Sequence, residues 1–317
     1  MSRHYSWLRR TVDLWAAQKI HSHIEAVLVR PVALTDEPIR TNDFELFHSL
    51  KIVDVPELDS VGTGFAAGVR RAQAPIVMLA EDHAFPEPGL AEAILAAYDD
   101  PDVAAVGPVM FNANPNTRAS EAAFVLAFSA AAYAPNTREA RMLGGHNASY
   151  RREFLVSLGD DLRELYMSER VLQFEIEARG LKMILLARPR IGHFNFSRWR
   201  STIVHAFQGG RLFAGQRCRG WRFGRRVVYA AGAPLVPFIR LRRIVSDLRE
   251  SPEEYARLVP SRLPIFALVL SLHALGEAFG YGFGIGTAVE RYAPFELYRR
   301  DQLITREREQ IEAYEFS

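Results

Sequence analysis

The stretch Pro75-Ile-Val-Met-Leu-Ala-Glu-Asp-His-Ala-Phe-Pro-Glu-Pro-Gly89 decides how the chain is read. Ile76 to Ala80 is an apolar run of strand length. It stops abruptly at three polar residues, Glu81, Asp82 and His83. Pro86, Pro88 and Gly89 then turn the chain, and Leu90 to Tyr98 has helical composition. In open α/β sheets, ligands bind at the carboxyl ends of strands. Two carboxylates and an imidazole at such an end suit a divalent metal that holds phosphate oxygens. Taken alone, the same triplet also fits a turn whose acids cap the next helix.

Outward from this stretch, strands and helices alternate. Residues 7–20 read as an amphipathic helix, with Leu8, Val12, Trp15 and Ile20 near helical spacing. Strands are expected at 24–29 and 52–55, separated by a loop over 30–50. Ser60 to Gly64 reads as a flexible turn before a helix at 65–73. A further strand is expected at 103–108, an Ala-rich helix at 121–133, a short helix at 154–158, and a helix from the Ser168 cap to Arg179. A strand at 183–186 and a helix at 200–217 follow. This order predicts an α/β fold, a mostly parallel sheet flanked by helices.

The chain has 317 residues, 49% of them hydrophobic and 24% charged, which is ample for a core. Its net charge of +2 gives no global field that would point to nucleic acid. The local distribution is uneven. No acidic residue lies between Glu177 and Asp247, and of the 39 basic residues only Lys19, Lys51 and Lys182 are lysine. Arginine is the better phosphate donor because its planar fork binds two oxygens. The single cysteine, Cys218, excludes an intrachain disulfide and agrees with a reducing, cytoplasmic setting. No apolar segment of signal-peptide type stands at the N-terminus.

Residues 218–262 are basic and broken by prolines. Leu263 to Val289 is the most apolar run, with Glu277 its one charge. It is long enough to cross a bilayer. Gly276, Gly280 and Gly284 fall four apart, a spacing that lets helices approach closely in membranes. A buried helical hairpin fits the same run. The preceding arginines would suit an anionic membrane surface, placing the protein at the inner face of the membrane. The tail, 290–317, is polar and expected to be helical.

Several motifs, in order, resemble those of family 2 glycosyltransferases, which have the GT-A fold. RRAQAPIVMLAEDHAFPEPGL (70–90) resembles the family's strand and Asp-x-Asp signature, with Glu81 and His83 where the two aspartates stand. VGPVMFN (106–112) matches the next strand, and LGGHNASYRRE (143–153) the acceptor-site motif. SERVLQFEIEARG (168–180) is similar to the helix that carries the catalytic base. QGGRL (208–212) is similar to the Gln-x-x-Arg-Trp motif, with Leu212 in place of tryptophan.

The resemblance implies a GT-A-like domain over 1–217, with a nucleotide-sugar half at about 1–112 and an acceptor half at 113–217. A basic and apolar helical region, 218–317, follows. It implies an inverting transfer from a nucleotide-diphosphate sugar to a hydroxyl of a glycan or lipid-linked acceptor. Glu169 would be the base. His83 and His193 would bind Mn2+ or Mg2+, with imidazole favouring manganese. Glu81, Asp82 and Arg211 would face the donor diphosphate. Gly145, His146 and Asn147 would line the sugar pocket. Oligomeric state stays open, a homo-oligomer included.

Two departures stand against this pattern. The family's first strand has no counterpart before the 7–20 helix, and no aspartate ends the strand at 24–29, where Val29 is followed by Arg30 and Pro31. A non-catalytic GT-A-like binding or scaffold protein therefore remains the alternative. A metal-dependent phosphohydrolase would need more clustered His and Asp.

Overall fold

The computed structural model describes residues 5–34, 38–249 and 253–315, with side chains given except for 34 and 248–260. Residues 35–37 of the expected loop and Pro252 lie outside the described residues.

Helix α1 (Tyr5–Ala16) opens the chain, and β1 (Glu25–Pro31) pairs in parallel with β2 (Ser49–Val55) as a separate two-stranded sheet. The turn expected at 60–64 is instead the first turn of α2 (Val61–Arg71). Ser60 caps it, its Oγ accepting from the Thr63 amide at 3.1 Å. A serine cap satisfies a helix-start N–H that would otherwise lack a partner, so the helix begins as soon as the cap is in place.

Strand β3 (Ile76–Met78) is shorter than the apolar run suggested, and Ala84 to Pro86 forms β4 where a turn was expected. Helix α3 (Leu90–Ala97) leads to β5 (Val103–Asn112). After α4 (Arg118–Phe128) come β6 (Arg138–Glu139) and β7 (Ser149–Arg151). The short helices α5 (Arg152–Ser157) and α6 (Asp161–Tyr166) precede α7 (Glu169–Ala178) and β8 (Lys182–His193). Strands β3 to β8 form a six-stranded sheet in the order β3-β7-β5-β8-β4, with β6 on β8.

The α/β class with flanking helices is as expected, but the larger sheet is mixed. Its long β5–β8 ladder is parallel, and the β3–β7, β4–β8, β5–β7 and β6–β8 ladders are antiparallel. Antiparallel strands can pair without a crossover, whereas parallel neighbours need a connection of a dozen or more residues, usually helical. Strand β5 is central and its first eight residues are buried, which explains its unbroken apolar composition. Under this sheet Phe65 stacks on Tyr166 at 3.6 Å between ring centroids, and Tyr150 and Leu155 are fully buried.

Helix α8 (Trp199–Arg217) leaves the sheet. Helices α9 (Phe223–Gly232), α10 (Val236–Arg249) and α11 (Glu253–Phe283) follow. The small-residue spacing of α11 is used against α8. A methyl group on Gly276 would lie 2.1 Å from the Phe207 carbonyl oxygen, and one on Gly210 would lie 2.1 Å from that of His273. The two backbones therefore touch, which only glycine permits. Helices α12 (Ala288–Leu297) and α13 (Thr305–Glu312) then fold the tail back onto the first half. Arg10 Nε donates to the Tyr314 carbonyl at 2.7 Å, and Asn114 Nδ2 to Glu307 Oε2 at 3.0 Å.

Candidate active site

The Glu81-Asp82-His83 loop leaves β3 with three carbonyls in need of donors. Each finds one from a different part of the chain. Thr11 Oγ1 of α1 donates to the Glu81 carbonyl at 3.0 Å, Arg300 Nη2 to that of Asp82 at 3.3 Å, and the Phe194 amide to that of His83 at 2.9 Å. All three loop side chains are buried. Buried backbone polar groups are rarely left unpaired, so these contacts fix where the side chains stand.

Pairing of Ala84 with His193 across β4–β8 brings the end of β8 beside the loop. The His83 and His193 rings meet edge to face at 4.9 Å. Each imidazole is tethered through Nδ1, His83 to Asp82 Oδ1 at 2.8 Å and His193 to Asn195 Oδ1 at 3.1 Å. Each turns Nε2 toward Glu81, at 3.7 Å from Oε1 and 3.7 Å from Oε2 respectively. Asn147 Nδ2 holds Glu81 Oε2 at 2.7 Å.

These spacings suit a metal better than hydrogen bonds. Nitrogen and oxygen ligands about 2.1 Å from one ion stand about 3.0–3.4 Å apart for bond angles near 90–109°. The observed 3.7 Å is slightly wider than that and too long for a hydrogen bond. His83 Nε2 is buried with no hydrogen-bond partner. A metal-binding histidine typically has its other ring nitrogen held by a carboxylate or amide, as Asp82 and Asn195 hold these two. Glu81, His83 and His193 could therefore hold a divalent cation, with Asp82 in a supporting place.

His146 stands on the other side of Glu81, its Nδ1 3.6 Å from Glu81 Oε1. It sits in a tight turn at 145–147 that Gly145 enters at φ 55°, a left-handed conformation that favours glycine. Its Nε2 is ion-paired with Glu169, the first residue of α7. Ser168 precedes Glu169 but its side chain makes no cap bond, and an acidic residue in the first turn is favourable there.

Sequence reasoning missed the third partner of His146. Glu296, on α12, places Oε2 3.5 Å from His146 Nδ1. Its carboxylate also takes His205 Nε2 at 2.9 Å and Arg299 Nη2 at 3.1 Å. A Glu and an Arg three apart on a polar tail look like an exposed ion pair in sequence. Asn195 had a nearer signal, two residues after a histidine that ends a strand.

The charges set one another. Burial pulls the His146 imidazole down, but Glu169, Glu296 and Glu81 outweigh it and hold its pKa well above the ordinary 6.5. Burial, with His83 beside it, keeps His193 well below 6.5. Burial alone would raise Glu81, yet His83, His146 and His193 bring it well below the usual carboxylate range. Glu296 is likewise held down, by Arg299 and the two histidines, against the effect of burial.

Arg211 is not brought into this cluster by any described contact. Its Nε donates to the Gly284 carbonyl at 3.2 Å, and its guanidinium lies against Gly286, so it closes the end of α11. A cavity of about 620 Å³ opens nearby, with Arg163, Trp221 and Arg226 on its wall. Met167 and Val289 line both this cavity and a smaller recess that reaches His146 and Glu296.

No protein-family model matches the chain, and no curated protein matches it in sequence. Among solved structures, that of S. aureus TarS aligns over 87% of this chain and 53% of its own, at 12% identity and a TM-score of 0.41. Structures of S. aureus TarS 1-349, alone and in complex with UDP, align over 93% of this chain and 88% of theirs, at 12% identity and a TM-score of 0.45. The chain thus spans about half of the longer TarS structure, 53% of it.

Proposed function

We propose that this chain is a GT-A-like glycosyltransferase that moves a sugar, with inversion, from a nucleotide-diphosphate donor to a hydroxyl of a glycan or lipid-linked acceptor. One observation carries the reading: a metal-competent triad, Glu81, His83 and His193, shares a buried cluster with an ion-paired carboxylate, Glu169. The family resemblance of the surrounding motifs supports it.

In this reading Glu81, His83 and His193 would hold Mn2+, which would supply positive charge for the diphosphate leaving group. Asp82 and Asn195 fix the imidazole rings, and Asn147 fixes Glu81. Glu169 takes the proton of the acceptor hydroxyl. His146, charged and held between Glu81, Glu169 and Glu296, positions the Glu169 carboxylate. The cavity shares Met167 and Val289 with the small recess at His146, so the substrates would bind beside that wall. At about 620 Å³ it lies within the usual range of ligand pockets.

The test is release of nucleoside diphosphate from a panel of nucleotide sugars with Mn2+, in the wild type and in Glu169→Gln. Turnover lost in the variant, with donor binding retained, is the expected result. Equal turnover would remove Glu169 as the base.

One observation favours a second reading, a non-catalytic binding protein of the same fold. Arg30, next to last in β1, pairs with Asp54 of β2 at 2.6 Å, so that carboxylate is already engaged and not free for a nucleotide base. A chain that binds no nucleoside diphosphate under any metal condition would leave this reading standing.

A further inference from the structure

We infer that α9, α10 and the outward face of α11 form a docking surface for an anionic lipid bilayer, on which the protein lies without crossing it. This is independent of the sugar-transfer reading.

Ser261–Phe283 of α11 is long and apolar enough to span a membrane, yet less than half of its apolar stretch is buried in the protein. Its ionisable groups face inward. Glu277 is buried, its Oε1 3.1 Å from Nδ1 of His273. Leu268, Leu275, Phe279 and Phe283 are exposed and recur at helical spacing, which makes one apolar stripe.

Helices α9 and α10 both pack against α11 and expose apolar side chains of their own. Phe223 and Val228 of α9 are 78% and 68% exposed, and Phe238 of α10 is 74% exposed. Soluble monomers rarely expose so many large apolar side chains on three helices packed together.

Arginines share these faces. Arg225 lies three residues before Val228, and Arg242 and Arg243 lie four after Phe238 and Ile239; all three arginines are exposed. Residues three or four apart on a helix are neighbours. Arg222 is exposed at the start of α9, and Arg225 stacks on Trp221 with its guanidinium carbon 3.8 Å from the ring centroid. No acidic residue occurs from 178 to 246 to offset these charges. Exposed aromatic and aliphatic side chains interleaved with arginine complement acyl chains beneath anionic headgroups.

Two other arrangements fit less well. Crossing the bilayer would carry α8 along, because its backbone touches that of α11 at Gly210 and Gly276. Helix α8 brings Gln208, Arg211, Gln216 and Arg217, whose transfer into hydrocarbon is costly. A symmetric pair with a second copy would set the arginines of each face against their own counterparts.

The test is flotation of the full chain with vesicles of phosphatidylcholine alone and of phosphatidylcholine with one-third phosphatidylglycerol. Strong binding to the anionic vesicles, weakened by salt, is expected. Phe238→Glu combined with Phe279→Glu should reduce that binding at least tenfold, with an unchanged melting temperature as the check on folding. Arg222→Gln and Arg225→Gln should each cost about fivefold on anionic vesicles only, the worth of one basic residue near such a surface. Failure to bind either vesicle overturns the inference, and so does binding that ignores the Phe→Glu pair. Light scattering that shows a dimer broken by Phe238→Glu would assign the face to a second copy instead.

Discussion

Glu296 and His146 stand 150 residues apart in sequence, yet their Oε2 and Nδ1 atoms are 3.5 Å apart. The C-terminal tail therefore completes the cluster that the Glu81-Asp82-His83 loop begins. The same carboxylate is the partner of buried Arg299 and of His205.

Removing that carboxylate should be costly. Glu296→Gln leaves Arg299 buried without its counter-charge, and breaking a buried pair from one side costs about 3–5 kcal/mol. A large drop in urea midpoint is expected. A midpoint within error of wild type would show that Arg299 finds another partner.

Asp82 touches His83 and not the proposed ion. Asp82→Asn should keep the fold but weaken Mn2+ binding by about 10–100-fold, the usual loss when a ligand-orienting partner is changed. Calorimetric titration of Mn2+ into the metal-free protein reads this directly. Unchanged affinity would free Asp82 from that role.

The contact of α8 with α11 gives a prediction about packing alone. Gly276→Ala puts a methyl group 2.1 Å from a backbone oxygen, so the two helices must separate. Overpacking of this kind costs about 1–3 kcal/mol or more. A melting temperature equal to wild type would mean that α8 and α11 are not so closely apposed.

Acid should destabilise the metal-free protein through His193. Its folded pKa lies well below the ordinary 6.5, so on unfolding it takes up a proton that the native state refuses. Its stabilisation is complete above about 6.5 and is lost as pH falls toward the folded value, by up to about 1.4 kcal/mol per pH unit. His146, with its folded pKa raised above 6.5, runs the other way. Its contribution is complete below about 6.5 and is lost as pH rises through the raised value. Melting temperature against pH should therefore fall on both sides, and His193→Asn should flatten the acid limb. An unaltered acid limb in that variant would assign it to other groups.

Local pattern made much of this legible. The apolar run of β5, the Ala-rich α4 and the helix that opens at Glu169 are local features, and sequence periodicity located them. The polar triplet after β3, the Gly-Gly turn before His146 and the histidine ending β8 marked the loops that converge on the cluster. What escaped depends on long-range contact. Ala84 to Pro86 is a strand only because β8 lies beside it, and Ser60 starts α2 earlier than hydrophobic spacing implied. Glu296 gains its place because α12 folds back over α8, which no local pattern records. Arg211 has the motif around it, but its guanidinium meets the end of α11.

The central claim is that Glu81, His83 and His193 bind a metal on which a nucleoside diphosphate depends. Thermal melting of the full chain with UDP, GDP, CDP and dTDP, each with and without Mn2+, tests it most directly. Binding to the native state raises stability by mass action, about 2.7 kcal/mol at a hundred times Kd. The account predicts a rise with one nucleotide that requires Mn2+ and vanishes in His83→Ala. No rise with any nucleotide, or an equal rise without metal, would contradict it.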